Sequence, residues 1–280
     1  MAVYINYNGR LLEPGTLLIG ASNRGFRYGD GLFETMLMKN GALRFWEDHA
    51  DRLWEGLRLL AFEILPHFTP AYLHEQITAL CGVNGQEALA RVRLMVFRGD
   101  GSIYGGQDET PHFIIEATAP APGTCAFNKE GYILGIYGEM VIPADRFSHL
   151  KTNNYLPSVM GRIHARRQGW ADSILLNAAG LVCETTVANI FLVRNDIIYT
   201  PALNQGCVAG IMRKYLLKAL PDAGYTVREE EIPVNALAGA DEIFITSSLT
   251  GLRWVKQLGK KIYVHECAAS VYNSFIVPLN

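Results

Sequence analysis

The feature that most constrains the fold is an Asn-Gly dipeptide that occurs twice early in the chain, between apolar-rich runs. Asn8-Gly9 follows the run Tyr4–Tyr7, and Asn40-Gly41 follows the run Phe33–Lys39. Asn and Gly tolerate the positive φ angles of the tight turn whose twist matches that of two paired antiparallel strands. The chain is therefore predicted to begin with antiparallel β-hairpins.

Helices and further strands are predicted after these hairpins. Apolar residues recur at helical spacing over about Glu47–Leu60. Thr69-Pro70 combines a typical N-cap residue with proline at the first helical position, which predicts a second helix to about Leu80. Further helices are predicted at Leu156–Arg167 and Gly210–Leu220, and further strands at Val92–Phe97, Phe113–Ala117, Tyr132–Tyr137, Ser173–Leu176, Leu181–Cys183, Ile190–Val193, Ile197–Tyr199, Tyr225–Glu230 and Ile243–Thr246.

Ala119–Gly123 is the one linker-like stretch, because it places two prolines and a glycine between strand-like runs. We therefore predict a mixed α/β (α+β) fold with an N-terminal α/β domain over 1–118, a linker over 119–124 and a C-terminal domain over 125–280. A cleft between two such domains is the usual place for a small-molecule site.

Composition favours a globular enzyme. The 280 residues are 49% hydrophobic and 19% charged, and a net charge of −2 gives no reason to expect nucleic acid or an anionic membrane as a partner. The five cysteines are scattered without a CxxC pair, which is typical of reduced thiols. No signal peptide and no long apolar span is visible in the sequence, so we expect a cytoplasmic protein.

Lys151 and Glu184 are the residues that suggest chemistry. Lys151 lies in a polar loop just before a predicted helix, and a lysine that forms an imine with a carbonyl needs a partly desolvated position. A solvated loop lysine is the ordinary alternative. Glu184 ends a buried apolar run, so its carboxylate needs a cation or a hydrogen-bond donor. A protonated pyridine nitrogen is one such partner, and a capped turn is another.

Three further segments could bind an anion. The small-residue turn Val208–Gly210 leads into a helix whose first amides lack partners within the helix. Thr246–Ser248 follows a β-branched strand and offers hydroxyls and amides, and Arg52 could bind a phosphate with two parallel hydrogen bonds. The ordinary alternatives are a simple loop-to-helix junction at Val208–Gly210 and a solvated helix face at Arg52. No metal-ligand spacing, nucleotide-binding glycine loop or GxSxG element is present.

In their order along the chain, these motifs resemble the class IV (fold type IV) pyridoxal-phosphate enzymes. This family contains branched-chain aminotransferases, D-amino acid aminotransferases and aminodeoxychorismate lyase. The resemblance extends from Tyr4 to about Val255 and is specific as a set. The segments that carry it are Tyr28–Thr35, His49–Leu53, Lys151–Tyr155, Glu184 with Asn189–Phe191, Gly210–Arg213 and Ile245–Ser248.

The resemblance implies roles for individual residues. Lys151 would form the internal Schiff base with pyridoxal 5'-phosphate and shuttle the substrate's α-proton, Glu184 would bind the pyridine nitrogen, and Arg52 would bind the phosphate. Tyr155 would approach the ring's 3-oxygen, although it follows the lysine by four residues rather than five. The phosphate cup would be completed by Ile211, Met212 and Ser248, and the substrate pocket would include Tyr28, Phe33, Thr35, Arg93, Ser247 and Leu249.

The family also implies an α/β sandwich in the N-terminal domain, a barrel-like C-terminal domain and a homodimer. The partners would be a small amino acid and a 2-oxo acid. Thr35 suits the lyase, whereas Ser247 stands where the lyase has a substrate-binding asparagine, and a hydroxyl cannot make the same pair of hydrogen bonds. We expect a branched-chain type of transaminase, with the lyase, a D-amino acid aminotransferase and a non-catalytic protein of the same fold as alternatives.

Overall fold

The structure is a computed structural model that describes residues 3–104 and 108–279. Within these ranges the chain forms two compact units. The first unit comprises the described residues up to Pro122 together with Leu150–Asn154, and the second comprises Gly123–His149 and Tyr155 onward. The bounds 1–118 and 125–280 stay a prediction. The segment Leu150–Asn154, which contains Lys151, was expected in the C-terminal domain but belongs to the first unit.

The first unit contains an antiparallel six-stranded sheet with the order β2-β1-β6-β5-β3-β4. Both predicted hairpins are confirmed: Asn8 and Asn40 have φ angles of 51° and 50°, and each is followed by a glycine with positive φ. The strands are β1 (Ile5–Tyr7), β2 (Arg10–Leu12), β3 (Gly31–Lys39), β4 (Ala42–Leu43), β5 (Leu89–Arg98) and β6 (Pro111–Thr118).

The helices of this unit are α1 (Arg24–Tyr28), α2 (Trp46–Leu59) and α3 (Pro70–Val83). The predicted N-cap of α3 is confirmed, since the Thr69 hydroxyl accepts a hydrogen bond from the backbone N–H of Tyr72 at 3.1 Å. Apolar residues of α2 and α3 pack on one face of the sheet and form the core. Helix α1 was not predicted from the sequence; it contains no buried residue, and its C-cap residue Gly29 has the left-handed conformation.

The second unit contains a mixed sheet of nine strands with the order β12-β11-β10-β13-β14-β7-β8-β9, and β15 pairs with β14. Its helices are α4 (Leu156–Gln168), α5 (Ile211–Asp222), α6 (Val234–Ala238) and α7 (Glu266–Val271). Its strands are β7 (Tyr132–Ile142), β8 (Asp172–Asn177), β9 (Val182–Thr185), β10 (Asn189–Arg194), β11 (Ile197–Pro201), β12 (Thr226–Glu230), β13 (Glu242–Ser247), β14 (Gly251–Leu258) and β15 (Lys261–Ile262).

This second sheet curls on itself. β9 is the last strand at one end of the sheet order and β10 is the third from the other end, yet only three residues connect them. So short a connection spans at most about 14 Å, and the turn is closed by a backbone hydrogen bond from Thr185 to Ala188 at 2.8 Å. The sheet must therefore bend to bring these two strands close together, which confirms the barrel-like second part of the predicted fold.

Candidate active site

The backbone of Lys151 is fixed against β3. The N–H of Phe33 donates to the carbonyl of Lys151, and the N–H of Asn153 donates to the carbonyl of Gly31, both at 2.9 Å. These two bonds flank an antiparallel bridge between Leu32 and Thr152. The lysine is thus held by a strand pairing that the sequence did not suggest, and this pairing accounts for its place in the first unit.

The strand pairing depends on the absence of a side chain at Gly31. A Cβ atom there would lie 2.3 Å from the carbonyl oxygen of Val96 and 2.6 Å from the side-chain nitrogen of Asn153. Both distances are far below van der Waals contact, and one of the two groups is backbone of a paired strand. Glycine at this position therefore allows β5 and the lysine segment to approach β3 together.

Gly31→Ala is expected to lower the free energy of unfolding by roughly 1–3 kcal/mol, the usual cost of forcing extra atoms into a packed region. Urea denaturation measures this change. Gly20→Ala is the matched control, because a Cβ at Gly20 would meet only the Ser22 hydroxyl at 3.9 Å. Equal stability of the two variants would contradict the close packing described for Gly31.

The Lys151 amine lies over an aromatic ring of β3. Its Nζ atom is 4.5 Å from the centre of the Phe33 ring, and Cζ of Arg93 is 4.3 Å from the same centre. Thr35 and Arg93 are directly opposite each other on β3 and β5. Phe33, Thr35, Arg93 and Lys151 thus lie close together in the first unit. Tyr28, at the end of α1, is 38% exposed.

Arg52 makes a fork of hydrogen bonds to a buried carboxylate. Its Nε donates to Oε1 of Glu34 at 2.8 Å, and its Nη2 donates to Oε2. Nδ1 of His49 is 2.6 Å from the same Oε2 atom. Arg52 and His49 are three residues apart on α2, so both side chains reach the same face of β3. Glu34, His49 and Arg52, named here the Glu34 cluster, are all buried.

The charges within the Glu34 cluster follow from its burial. Burial by itself raises the pKa of Glu34, but the Arg52 guanidinium and then the His49 ring lower it to about 2, so the carboxylate is ionised. Burial lowers the pKa of His49, and the Glu34 carboxylate opposes this shift. The positive charges of Arg52 and Lys151 lower it further. His49 is therefore neutral at pH 7. Its Nδ1–H donates to the Glu34 carboxylate, and its Nε2 atom has a lone pair.

Nε2 of His49 has no hydrogen-bond partner among the residues that the structure describes, although the ring is only 1% exposed. A buried polar atom without a partner costs on the order of 1–3 kcal/mol. The sequence indicated neither this atom nor the role of Glu34. A carboxylate within the apolar run of β3 and the three-residue spacing of His49 and Arg52 are the signals that could have found them.

In the second unit, Glu184 occupies the end of β9 and is 6% exposed. Its Oε2 atom accepts a hydrogen bond from the backbone N–H of Val208 at 3.1 Å and one from Nδ2 of Asn189 at 3.5 Å. The carboxylate is therefore held in a defined orientation by its own unit. The same two contacts would also satisfy a purely structural carboxylate.

The N-terminus of α5 lies beside Asn189. Gly210 is the N-cap residue, and no described side chain caps this end of the helix. A Cβ on Gly210 would be 1.8 Å from Oδ1 of Asn189, so glycine is needed for this close approach. Ile211 and Met212, the next two residues, are 3% and 0% exposed. Their amides belong to the first turn, where helix N–H groups lack internal acceptors and favour anions.

The turn between β13 and β14 carries the remaining predicted residues. Ser247 Oγ lies 2.8 Å from Oγ1 of Thr250 and accepts a hydrogen bond from the Thr250 N–H at 3.2 Å. Ser248 and Leu249 follow in this turn and are half-buried. Thr246, the Cα partner of Asn189 across the sheet, has a buried hydroxyl without a hydrogen-bond partner among the described residues. From the sequence, Thr246 was expected only to be one of several hydroxyls available to an anion.

Tyr155 precedes α4 and donates a hydrogen bond from its hydroxyl to the carbonyl of Thr186 at 3.0 Å. It also lines a surface groove of about 580 Å³ that is bordered by Arg162, Trp170 and Val187. The approach of Tyr155 to a cofactor ring stays a prediction.

Four cysteines are unsuited to nucleophilic catalysis. Burial raises the pKa of the Cys81 and Cys267 thiols to about 11 and that of Cys207 to about 12, and it also raises the pKa of Cys183. A thiol needs to ionise before it attacks a substrate. Within the described ranges, no group of acidic, histidine and cysteine side chains could hold a metal ion, and no helix has the length and hydropathy needed to cross a membrane.

The fold, with a curled mixed sheet in one unit and an antiparallel sheet with helices in the other, matches solved structures of fold type IV aminotransferases. The chain belongs to the amino-transferase class IV family, whose model matches residues 31–258. Members of this family use pyridoxal phosphate, and they are aminotransferases or lyases.

Relatives with different activities match over most of their length. A putative branched-chain-amino-acid aminotransferase of Methanocaldococcus jannaschii is 29% identical over 253 residues, which are 89% of this chain and 84% of the relative. Aminodeoxychorismate lyase of Vibrio harveyi is 29% identical over 232 residues, 82% of this chain and 83% of the relative. D-alanine aminotransferase of Bacillus licheniformis is 28% identical over 248 residues, 86% and 83% of the two chains.

The fold agrees with a solved structure. The branched-chain aminotransferase from Thermoproteus uzoniensis superposes with a TM-score of 0.88 and 21% identity, over 99% of this chain and 96% of that chain. This likeness supports the fold and does not select among the activities of the family.

Proposed function

We propose that this protein is a pyridoxal-phosphate-dependent transaminase that moves the amino group of a small amino acid, of branched-chain type, to a 2-oxo acid. The observation that carries the proposal is the fixed position of Lys151. Two backbone hydrogen bonds, one of them to the carbonyl of Lys151 and the other from the N–H of Asn153, hold its segment on β3, and its amine lies over the Phe33 ring. A lysine that bonds a carbonyl carbon and then moves a proton needs such a fixed, partly apolar position.

The residues of each unit fit the chemical parts of pyridoxal phosphate. In the first unit, Lys151 would supply the amine, and Arg52, which is held by Glu34, would supply a guanidinium for the phosphate. In the second unit, the carboxylate of Glu184 suits a protonated pyridine nitrogen. Ile211, Met212 and Ser248 would add hydrogen bonds to the phosphate, and Tyr155 would contact the ring's 3-oxygen.

Pyridoxal phosphate supplies an electron sink for the charge that develops when the substrate loses its α-proton. The protein's own contributions are binding, orientation and proton transfer. Glu184, as a carboxylate, would keep the pyridine nitrogen protonated. Nζ of Lys151 would hold the substrate's α-proton and return it at the end of the transfer. Tyr28, Phe33, Thr35, Arg93, Ser247 and Leu249 are the proposed substrate-pocket residues.

Aminodeoxychorismate lyase activity is the second candidate, supported by Thr35 and by the lyase of Vibrio harveyi among the relatives. The contacts of Ser247 favour transamination instead. Its hydroxyl already interacts with the hydroxyl and the N–H of Thr250. A hydroxyl has one donor and two acceptor sites, so Ser247 cannot replace both hydrogen bonds of an asparagine amide. A D-amino acid aminotransferase remains an alternative for the stereochemistry of the substrate.

The test is to add purified protein to L-leucine, D-alanine and aminodeoxychorismate in separate cuvettes and to follow the cofactor spectrum. We expect the visible band to disappear with L-leucine while its 2-oxo acid is released. The same result with D-alanine and not with L-leucine would show that the substrate is a D-amino acid. Formation of 4-aminobenzoate and pyruvate with an unchanged cofactor would establish the lyase. A protein without a cofactor band after addition of pyridoxal phosphate would contradict the whole proposal.

The homodimer implied by the resemblance and the cytoplasmic location expected from the sequence are further proposals. Light scattering of the purified protein measures the first, and fractionation of cells measures the second.

A further inference from the structure

The Glu34 cluster fixes the plane of the Arg52 guanidinium. An arginine presents five N–H donors in one rigid plane. Glu34 binds the edge formed by Nε and Nη2, so the Nη1 group lies on the opposite edge of the same plane. A carboxylate that binds two parallel N–H groups allows the guanidinium almost no rotation.

His49 fixes the carboxylate in turn. Oε2 of Glu34 accepts from both Nδ1 of His49 and Nη2 of Arg52, whereas Oε1 accepts from Nε of Arg52. Each oxygen is thereby assigned to a particular donor, and the carboxyl group cannot rotate without breaking at least one bond. With Glu34 at 2% and His49 at 1% exposure, water has little access to replace these bonds.

Stability alone is a weak explanation for this cluster. Removing two charges from water costs about as much as their attraction returns, so a buried ion pair adds little net stability. In addition, the cluster leaves Nε2 of His49 without a hydrogen-bond partner among the described residues. An unsatisfied buried atom is not expected in a cluster whose only role is to stabilise the fold. Orientation of the Arg52 guanidinium toward a ligand explains the cluster better.

We propose that Glu34 and His49 are positioning residues that orient the Arg52 guanidinium for the phosphate group of the cofactor. The inference rests on the proposed function, in which Arg52 binds this phosphate. A long arginine side chain loses rotamer entropy when it is fixed. Because contacts within the protein hold the Arg52 side chain against Glu34, cofactor binding would not have to meet this cost. Preorganisation of this kind increases affinity for the bound anion.

The test compares pyridoxal phosphate with pyridoxal, which lacks the phosphate, in equilibrium titrations of the visible band. Glu34→Asp keeps the negative charge but is shorter by one methylene, so it cannot maintain the fork. We expect the dissociation constant for pyridoxal phosphate to rise roughly 10- to 100-fold, while the constant for pyridoxal stays within about threefold. Glu75→Asp, at an exposed position of α3, is the matched control and is expected to change neither constant.

A second pair of variants tests whether Glu34 acts through Arg52. In an Arg52→Lys background, which keeps a cation without the fork, Glu34→Asp is expected to have no further effect on the ratio of the two dissociation constants. If Glu34→Asp does not fold, His49→Phe replaces it, because phenylalanine fills a similar volume without donating to Glu34. His49→Phe is expected to weaken pyridoxal phosphate binding selectively.

The outcomes separate this inference from the proposed function. Equal loss of pyridoxal and pyridoxal phosphate binding in a folded variant, or no loss of either, would overturn the positioning role and leave the proposed function intact. Failure of the unmodified protein to bind either compound would instead overturn the proposed function. An additional loss in the Arg52→Lys background would show that Glu34 acts on the cofactor by another route and would also overturn the proposal.

Discussion

Replacing Lys151 by alanine is expected to abolish the visible absorbance band of the bound cofactor and to reduce turnover to the level of the cofactor alone in solution. No other described lysine is fixed on β3 with its amine beside the Phe33 ring, so none can supply the same covalent attachment and proton transfer. The loss of a covalent nucleophile of this type lowers kcat by roughly 10⁴-fold or more. Spectra and single-turnover rates measure the two effects.

The variant should remain folded, because the contacts that hold this segment in place are made by backbone atoms. The N–H of Phe33 donates to the carbonyl of residue 151, and this bond is independent of the lysine side chain. Lys129→Ala, at an exposed position, is the matched control and should retain both band and turnover. A Lys151→Ala protein that keeps the band and turns over normally would remove the basis of the proposed function.

Replacing Glu184 by glutamine is expected to reduce kcat by roughly 10²- to 10³-fold, which corresponds to the loss of about 3–4 kcal/mol of transition-state stabilisation. Glutamine has the same length, and its amide oxygen can still accept from the N–H of Val208 and from Asn189. The fold is therefore expected to be preserved. Only the negative charge that would keep the pyridine nitrogen protonated is lost.

Steady-state kinetics measure this change, and thermal unfolding verifies that the variant is folded. Glu139→Gln is the matched control, because Glu139 is exposed on β7 and the same amide replaces its carboxylate. We expect its kcat to equal that of the unmodified protein. If Glu184→Gln keeps full activity, Glu184 has only the structural role that its contacts to Val208 and Asn189 would give it.

Local patterns were sufficient for much of the fold. The positive φ angles of Asn8 and Asn40, the N-cap of α3 at Thr69 and the start of α5 after Gly210 all depend on residues that are close in sequence. Such features follow from the conformational preferences of a few residues, and these preferences are similar in any fold. The short helices α1, α6 and α7 lacked a comparable signal, since five or six residues do not establish a helical periodicity.

The sequence by itself also determined which residue types are available for chemistry, and the order of its motifs identified the family. Only the tertiary structure decided that Lys151 pairs with β3 and belongs to the first unit. It alone brought Glu34 of β3 against His49 and Arg52 of α2. The physical reason is that strand pairing and buried charge pairs depend on residues far apart in the chain, and local preferences contain no information about such contacts.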